Sequence, residues 1–288
     1  MLFVDGLGIG PDDPAVNPIH AGACPCLEKL LRDNACPIDA SLGVPGLPQS
    51  ATGQTALLTG VNAAQLMGRH VEGFPGAELK KVIRENNLYA RLSALGATST
   101  FANAYYVDDS QEVLVGRVQS VTTVAALSAF GAIRTRKDLE ANRAVYQDIT
   151  RETLRKRGYP GPLVSPHDAA AHLAAIAAEH DFTLFEYFQT DRAGHSRDPE
   201  QVRAVLRLYD EFLADLATRA ENREFLLLLT SDHGNIENLR TLGHTENPVP
   251  LLAVGTGADR LRHRIHSLLD ITPALVEWFG LPGSQPSS

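Results

Sequence analysis

Cysteine, tryptophan and methionine are scarce in this 288-residue chain, with three, one and two copies. So few thiols exclude a disulfide-stapled secreted scaffold. Cys24, Cys26 and Cys36 do lie close together with His20 nearby. Cys-Pro-Cys lacks the usual two-residue spacer of a zinc site, however, and no second pair follows, so they read as reduced thiols. No apolar run approaches the roughly 18 residues that cross a bilayer, so no membrane partner is expected. Met1 leads straight into "LFVDG" without a basic n-region or cleavage site; a cytoplasmic location is therefore expected. An excess of basic charge is also missing, with 26 Lys and Arg against 34 Asp and Glu and a net charge of −8. That balance argues against nucleic-acid binding. Nothing in the sequence fixes an oligomeric state.

What is present is 44% hydrophobic and 21% charged, a globular composition long enough for one large domain or a core with an insertion. Strand-length apolar runs alternate with longer amphipathic stretches. "LFVD", "TSTFANAYY", "FTLFEYF", "EFLLLLTSD" and "VPLLAVG" read as strands. "AELKKVIRENNLYARLSALG", ending at Gly96, reads as one helix; so do "HDAAAHLAAIAAEH", "PEQVRAVLRLYDEFLADLATRA" and "HSLLDITPALVEWFG". The alternation predicts an α/β fold, a mostly parallel sheet with helices on both faces. Residues 106–162 break the rhythm and are expected to form a small inserted cap on a core of residues 1–105 and 163–288. The terminal "GSQPSS" reads as a frayed tail.

Open α/β sheets place ligands at the carboxyl ends of their strands. There the sequence puts Asp5 after "LFV", Asp191 and then His195 after "FEYFQT", and Asp232 with His233 after "LLLLTS". His244 stands in "GHTENPVP", just before the next strand. Each has a bland explanation. "DGLGIG" could be a dinucleotide loop, but its glycines run G-x-G-x-G rather than G-x-G-x-x-G. "TDRAGH" could be a helix cap, Asp232 a turn residue and His244 a surface histidine. Their recurrence at one sheet edge is harder to explain that way. Three carboxylates and three imidazoles need a compensating charge to be buried together, and one or two divalent cations supply it.

In "PQSATGQTALLTG" a hydroxyl-rich loop enters a short apolar helix. Ser50 and Thr52 are candidate nucleophiles at its N-terminus, where backbone N–H groups and the helix dipole favour phosphate.

Six segments, "FVDGLG", "SATGQTALLTG", "TDRAGH", "SDHGN", "GHTENPVP" and "SLLDITPALVEWFGL", together resemble the alkaline phosphatase superfamily. The similarity is to its branch with cofactor-independent phosphoglycerate mutase, phosphopentomutase and the nucleotide pyrophosphatase/phosphodiesterases. The resemblance implies an alkaline-phosphatase-like core with two divalent metal ions, Zn²⁺ or Mn²⁺. One ion would be held by Asp191, His195 and His244, the other by Asp5, Ser50, Asp232 and His233. It also favours Ser50 over Thr52 as nucleophile, because Ser50 stands three residues before Gly53 and ten before Gly60. Two departures stand out: Gln54 occupies a position where His is common, and Gly53 stands where many phosphodiesterases carry Asn.

The activity so implied is phosphoryl transfer through a phosphoserine on a small phosphorylated substrate. Mutases of this superfamily carry a large cap, and residues 106–162 look short for that duty, which favours hydrolysis of a phosphate ester. The alternatives are a phosphomutase and, from another class, a catalytically inactive metal-binding scaffold. Sulfatases need a C/S-x-P-x-R context that "SATGQ" lacks. Arg69 and His70, close after the nucleophile helix, are candidate substrate contacts. Arg117, Arg134, Arg136, Lys137 and Arg143 read as a solvated charged face.

Overall fold

The fold was obtained as a computed structural model, and it describes residues 1–116, 118–241 and 243–280. Six strands form one sheet: β1 (Leu2–Val4), β2 (Ala35–Ile38), β3 (Ser99–Phe101), β4 (Phe182–Tyr187), β5 (Leu227–Thr230) and β6 (Val249–Val254). Their order is β2-β6-β5-β1-β4-β3. β1 lies parallel between β4 and β5, pairing Leu2 with Phe185 and Leu229. β3 runs parallel to β4, and β6 runs antiparallel to both its neighbours, β5 and β2.

The central strands are apolar at nearly every position because both faces are covered, the condition that parallel sheets require. Alternate residues split between two clusters. Phe3, Leu184, Leu228, Leu251 and Ala253 face helices Ser50–Thr59, Ala77–Asn86, Leu88–Ala94, Val121–Phe130 and Leu268–Gly280. Leu2, Val4, Phe185, Tyr187 and Leu229 face helices Pro25–Asn34, Pro166–Ala178 and Pro199–Glu221. Among the described residues, no helix is long and apolar enough to cross a membrane. Cys24, Cys26 and Cys36 are free, and Cys24 is buried, donating to the Ile19 carbonyl.

Several elements differ from expectation. The long helix expected over residues 77–96 is two, parted at Asn87, whose side chain accepts from Ala90 N and caps the second. A side chain that bonds the backbone locally offers it an alternative to continuing the helix. The expected strand "TSTFANAYY" ladders only over Ser99–Phe101, and Asn103 and Ala104 then make single bridges to Val145 and Arg134.

Residues 106–162 divide in two. Helix Val121–Phe130 is buried in the main core against Leu57, Ile83 and Tyr89. The part with an apolar cluster of its own is narrower than the expected cap, comprising Leu139, Ala144, Tyr146, Leu154 and Tyr159 around Ala104. "VTTVAALSAF" has no polar face, and a helix apolar all round belongs in a core. Arg134 reaches back to the Phe101 carbonyl and Thr100, Arg136 pairs with Asp108 at 2.5 Å and Arg143 with Asp138 at 3.5 Å. Lys137 is exposed, and Arg117 lies outside the described residues.

Candidate metal centre

β1, β4 and β5 are parallel, so the residues after them, Asp5, Asp191 and Asp232, emerge at the same edge. His244 comes before its strand. It reaches that edge because β6 runs the other way, so its N-terminal end meets the carboxyl ends of the rest.

The inner part of the cluster is sealed. Asp232 and His233 are fully buried and Asp5 nearly so. His233 Nε2 lies 3.2 Å from Asp5 Oδ1, 3.6 Å from Asp232 Oδ2 and 3.0 Å from Ser50 Oγ. Gln54 donates from Nε2 to Asp5 Oδ2 at 3.3 Å and to Asp232 Oδ2 at 3.0 Å, so the residue that replaces the common His bridges the two carboxylates.

The outer part is more open. His195 Nε2 and His244 Nε2 stand 3.4 and 3.6 Å from Asp191 Oδ1 and 3.2 Å from each other. The His195 side chain is 49% exposed. His244 Nδ1 donates to the Pro48 carbonyl, which leaves the Nε2 lone pair free toward Asp191. Asn235 holds Asp191 by donating to its Oδ1 at 2.7 Å and to its carbonyl. The two parts adjoin, since the His233 and His244 rings stack with centroids 3.6 Å apart. Donor atoms from Asp5, Asp232 and His233 gather within 4.8 Å, as do those from Asp191, His233 and His244.

The electrostatics ask for a cation. Burial holds the Asp5 carboxyl well above its usual range, and neighbouring Asp232 adds to that. Burial alone would lower the His233 imidazole, but Asp232 and Asp5 outweigh it and push it up to about 10. Asp5 Oδ1 is buried without a hydrogen-bond partner. Clustered acid oxygens beside imidazole nitrogens form a donor set that fits a divalent metal ion.

Ser50 is the first residue of helix Ser50–Thr59 and half-buried beside His233. Thr52 is fully buried; its hydroxyl donates to the Gln49 carbonyl and accepts from Val71 N. That ties Thr52 into the loop and separates its role from that of Ser50. Arg69 is exposed, and His70 Nε2 lies 3.1 Å from the Val44 carbonyl.

Sequence reasoning passed over Gln54 as a bridge, and it passed over Asn235 and Glu186. Glu186 is buried on β4, accepts from Thr122 Oγ1 at 2.6 Å, and is raised by burial to about 7. An acid inside the otherwise greasy "FTLFEYF" was the available signal.

A family model described as the Metalloenzyme superfamily matches residues 1–283. The chain therefore belongs to that superfamily of metal-dependent enzymes, and its fold is alkaline-phosphatase-like. The 2,3-bisphosphoglycerate-independent phosphoglycerate mutase of Cereibacter sphaeroides is 33% identical over 129 residues, 42% of this chain and 25% of that protein. Its namesake in Acetivibrio thermocellus is 32% identical over 109 residues, 35% of this chain and 21% of that one. The chain thus spans about a quarter of the length of the curated relatives it matches. Alkaline phosphatase from the Antarctic bacterium TAB5 superposes with a TM-score of 0.58 at 13% identity, covering 97% of this chain and 96% of that one. Leishmania mexicana phosphoglycerate mutase gives 0.51 at 13% identity, covering 100% and 96%.

Proposed function

We propose that the chain hydrolyses a small phosphate ester through a phosphoserine at Ser50. The observation that carries this reading is Ser50 Oγ, 3.0 Å from His233 Nε2 at the first turn of a helix, beside the clustered acids and imidazoles. Two divalent ions, Zn²⁺ or Mn²⁺, held by Asp191, His195 and His244 and by Asp5, Ser50, Asp232 and His233, would lower the serine pKa and offset phosphate charge.

The chain's own groups then have distinct tasks. The open first turn of the helix offers N–H groups and a positive dipole end to the phosphate oxygens. Ser50 Oγ, its proton passed to hydroxide in the surrounding water, attacks phosphorus in line with the ester oxygen. The Oγ–P bond forms, the ester O–P bond breaks, and the departing alkoxide takes a proton from water. A water then displaces Ser50 from phosphorus and inorganic phosphate leaves. Arg69 and His70, on the loop that packs over Thr52, are proposed to contact the substrate.

Hydrolysis is favoured over isomerisation by access. His195 is half exposed and the separate apolar cluster of Leu139, Ala144, Tyr146, Leu154 and Tyr159 is small, so water is poorly excluded. The phosphomutase reading draws on the names of the relatives. Incubating the protein with Mn²⁺ or Zn²⁺ and a panel of phosphomonoesters, diesters and sugar phosphates separates the two. Free phosphate is the expected product; isomer without phosphate means a mutase, and neither product means an inactive scaffold.

A further inference from the structure

Glu237 is completely buried, yet no step above uses it. Its Oε2 accepts from Gly8 N at 2.9 Å and from Asn235 N at 2.7 Å. Its Oε1 accepts from Thr245 Oγ1 and, at 3.0 Å, from Asn247 Nδ2. Those four donors come from two stretches of chain, Gly8 from the loop after β1 and the other three from the β5–β6 connection that also carries Glu237. Gly8 lies three residues after Asp5, Asn235 two after His233, and Thr245 directly after His244. Asn235 in turn holds Asp191 Oδ1. One carboxylate therefore ties the loop after β1 to both ends of the β5–β6 connection, beside His233 and beside His244, and through Asn235 reaches Asp191 after β4.

We propose that Glu237 is a positioning residue that fixes the spacing of these ligand loops before any ion arrives. This rests on the metal-centre reading given above. An ionised carboxylate suits the task because it only accepts, on two oxygens with about four lone-pair sites. Burying its charge is offset when all of them are filled by donors.

Two glycines show how closely the side chain must be approached. A Cβ at Gly8 would stand 2.3 Å from Glu237 Oε1, and one at Gly234 2.3 Å from the same atom and 2.2 Å from Thr245 Oγ1. The G-x-G-x-G spacing of "DGLGIG" thus admits a buried acid rather than a pyrophosphate. The glycine of "SDHG" makes room for the same oxygen.

The test is Co²⁺ titration of the wild type, Glu237→Gln and Glu237→Ala, followed by visible absorption, with the melting temperature of each metal-free protein as control. Glu237→Gln keeps the shape and one accepting oxygen but turns an N–H₂ toward Thr245 and Asn247. It should weaken Co²⁺ binding on the order of 10–100-fold and alter the absorption bands, with metal-free melting close to wild type. Glu237→Ala should lose more; if it does not fold, Glu237→Gln carries the comparison. A folded Glu237→Gln with wild-type affinity and wild-type bands overturns the positioning role alone. A wild type that takes up no Co²⁺ overturns the metal-centre reading and this inference with it.

Discussion

The inner and outer parts of the cluster use the same residue types in opposite surroundings. Asp5, Asp232 and His233 sit in a sealed pit with Gln54 bridging the acids, whereas Asp191, His195 and His244 stand at the mouth, with His195 half in solvent. Charges at the mouth are partly solvated. Those in the pit lean on one another, on the Gln54 amide, on the Gly6 N–H and on the His233 imidazole. The pit should therefore govern whether the centre holds together, and the mouth should govern what exchanges with solvent.

The strongest way to break this contrast is through the nucleophile, which belongs to the pit. Ser50→Ala should lower phosphate release by about 10⁴-fold or more while the remaining ligands keep most of the metal. Thr52→Ala should cost about 1–2 kcal/mol of stability for its lost hydrogen bonds and less than tenfold in rate. Equal rate losses, read in steady-state assays, would move the nucleophile.

Removing metal sharpens the contrast next. At an ion concentration one hundred times Kd, each bound ion stabilises by about 2.7 kcal/mol, so a chelator should lower the melting temperature in calorimetry. Asp232→Ala should erase most of that metal-dependent gain. His195→Ala should keep the gain from one ion and lose the other. If the two variants behave alike, the pit and the mouth are one site.

Glu186 gives a comparable effect that depends on pH. Its carboxyl is raised by burial from 4.5 to about 7, against the opposing bond from Thr122. Between those values the folded protein keeps a proton that the unfolded chain has released. The contribution is therefore fully present below about pH 4.5 and lost as pH rises through about 7. In metal-free protein, wild type should lose on the order of 3 kcal/mol between pH 4.5 and 8 relative to Glu186→Gln. Denaturant melts at several pH values would show parallel curves if the acid is not so perturbed.

The smallest expected effect lies outside both parts. Arg69→Ala should raise KM several-fold, about 1 kcal/mol of binding, with little change in kcat. A fall in kcat at constant KM would place Arg69 at the reacting phosphate instead.

Much of the fold was legible because an apolar strand that ends abruptly in an acid is a coarse, local pattern. Asp5, Asp191 and Asp232 all follow such strands. The reversal of β6 was not legible, since "VPLLAVG" has the same buried composition in either direction. That reversal is what carries His244 to the others. Helix Val121–Phe130, within the stretch expected as a cap, packs into the main core, as its lack of any charged residue suggests. Gln54, Asn235 and Glu237 were invisible for a different reason. Each has a decisive partner far along the chain, and no spacing records a hydrogen bond across 178, 44 or 229 residues.

The central place of β1 bears on how the chain is made. Leu2–Val4 are translated well before their neighbours, residues 185–187 on one side and 229–230 on the other. At roughly 5–20 residues per second, the ribosome leaves "LFV" without a partner for about 10–45 s. Non-local pairing of this kind is slow even once the whole chain is available. The newborn protein therefore carries an exposed apolar segment that a chaperone, or a very fast collapse of the helices around it, has to shelter.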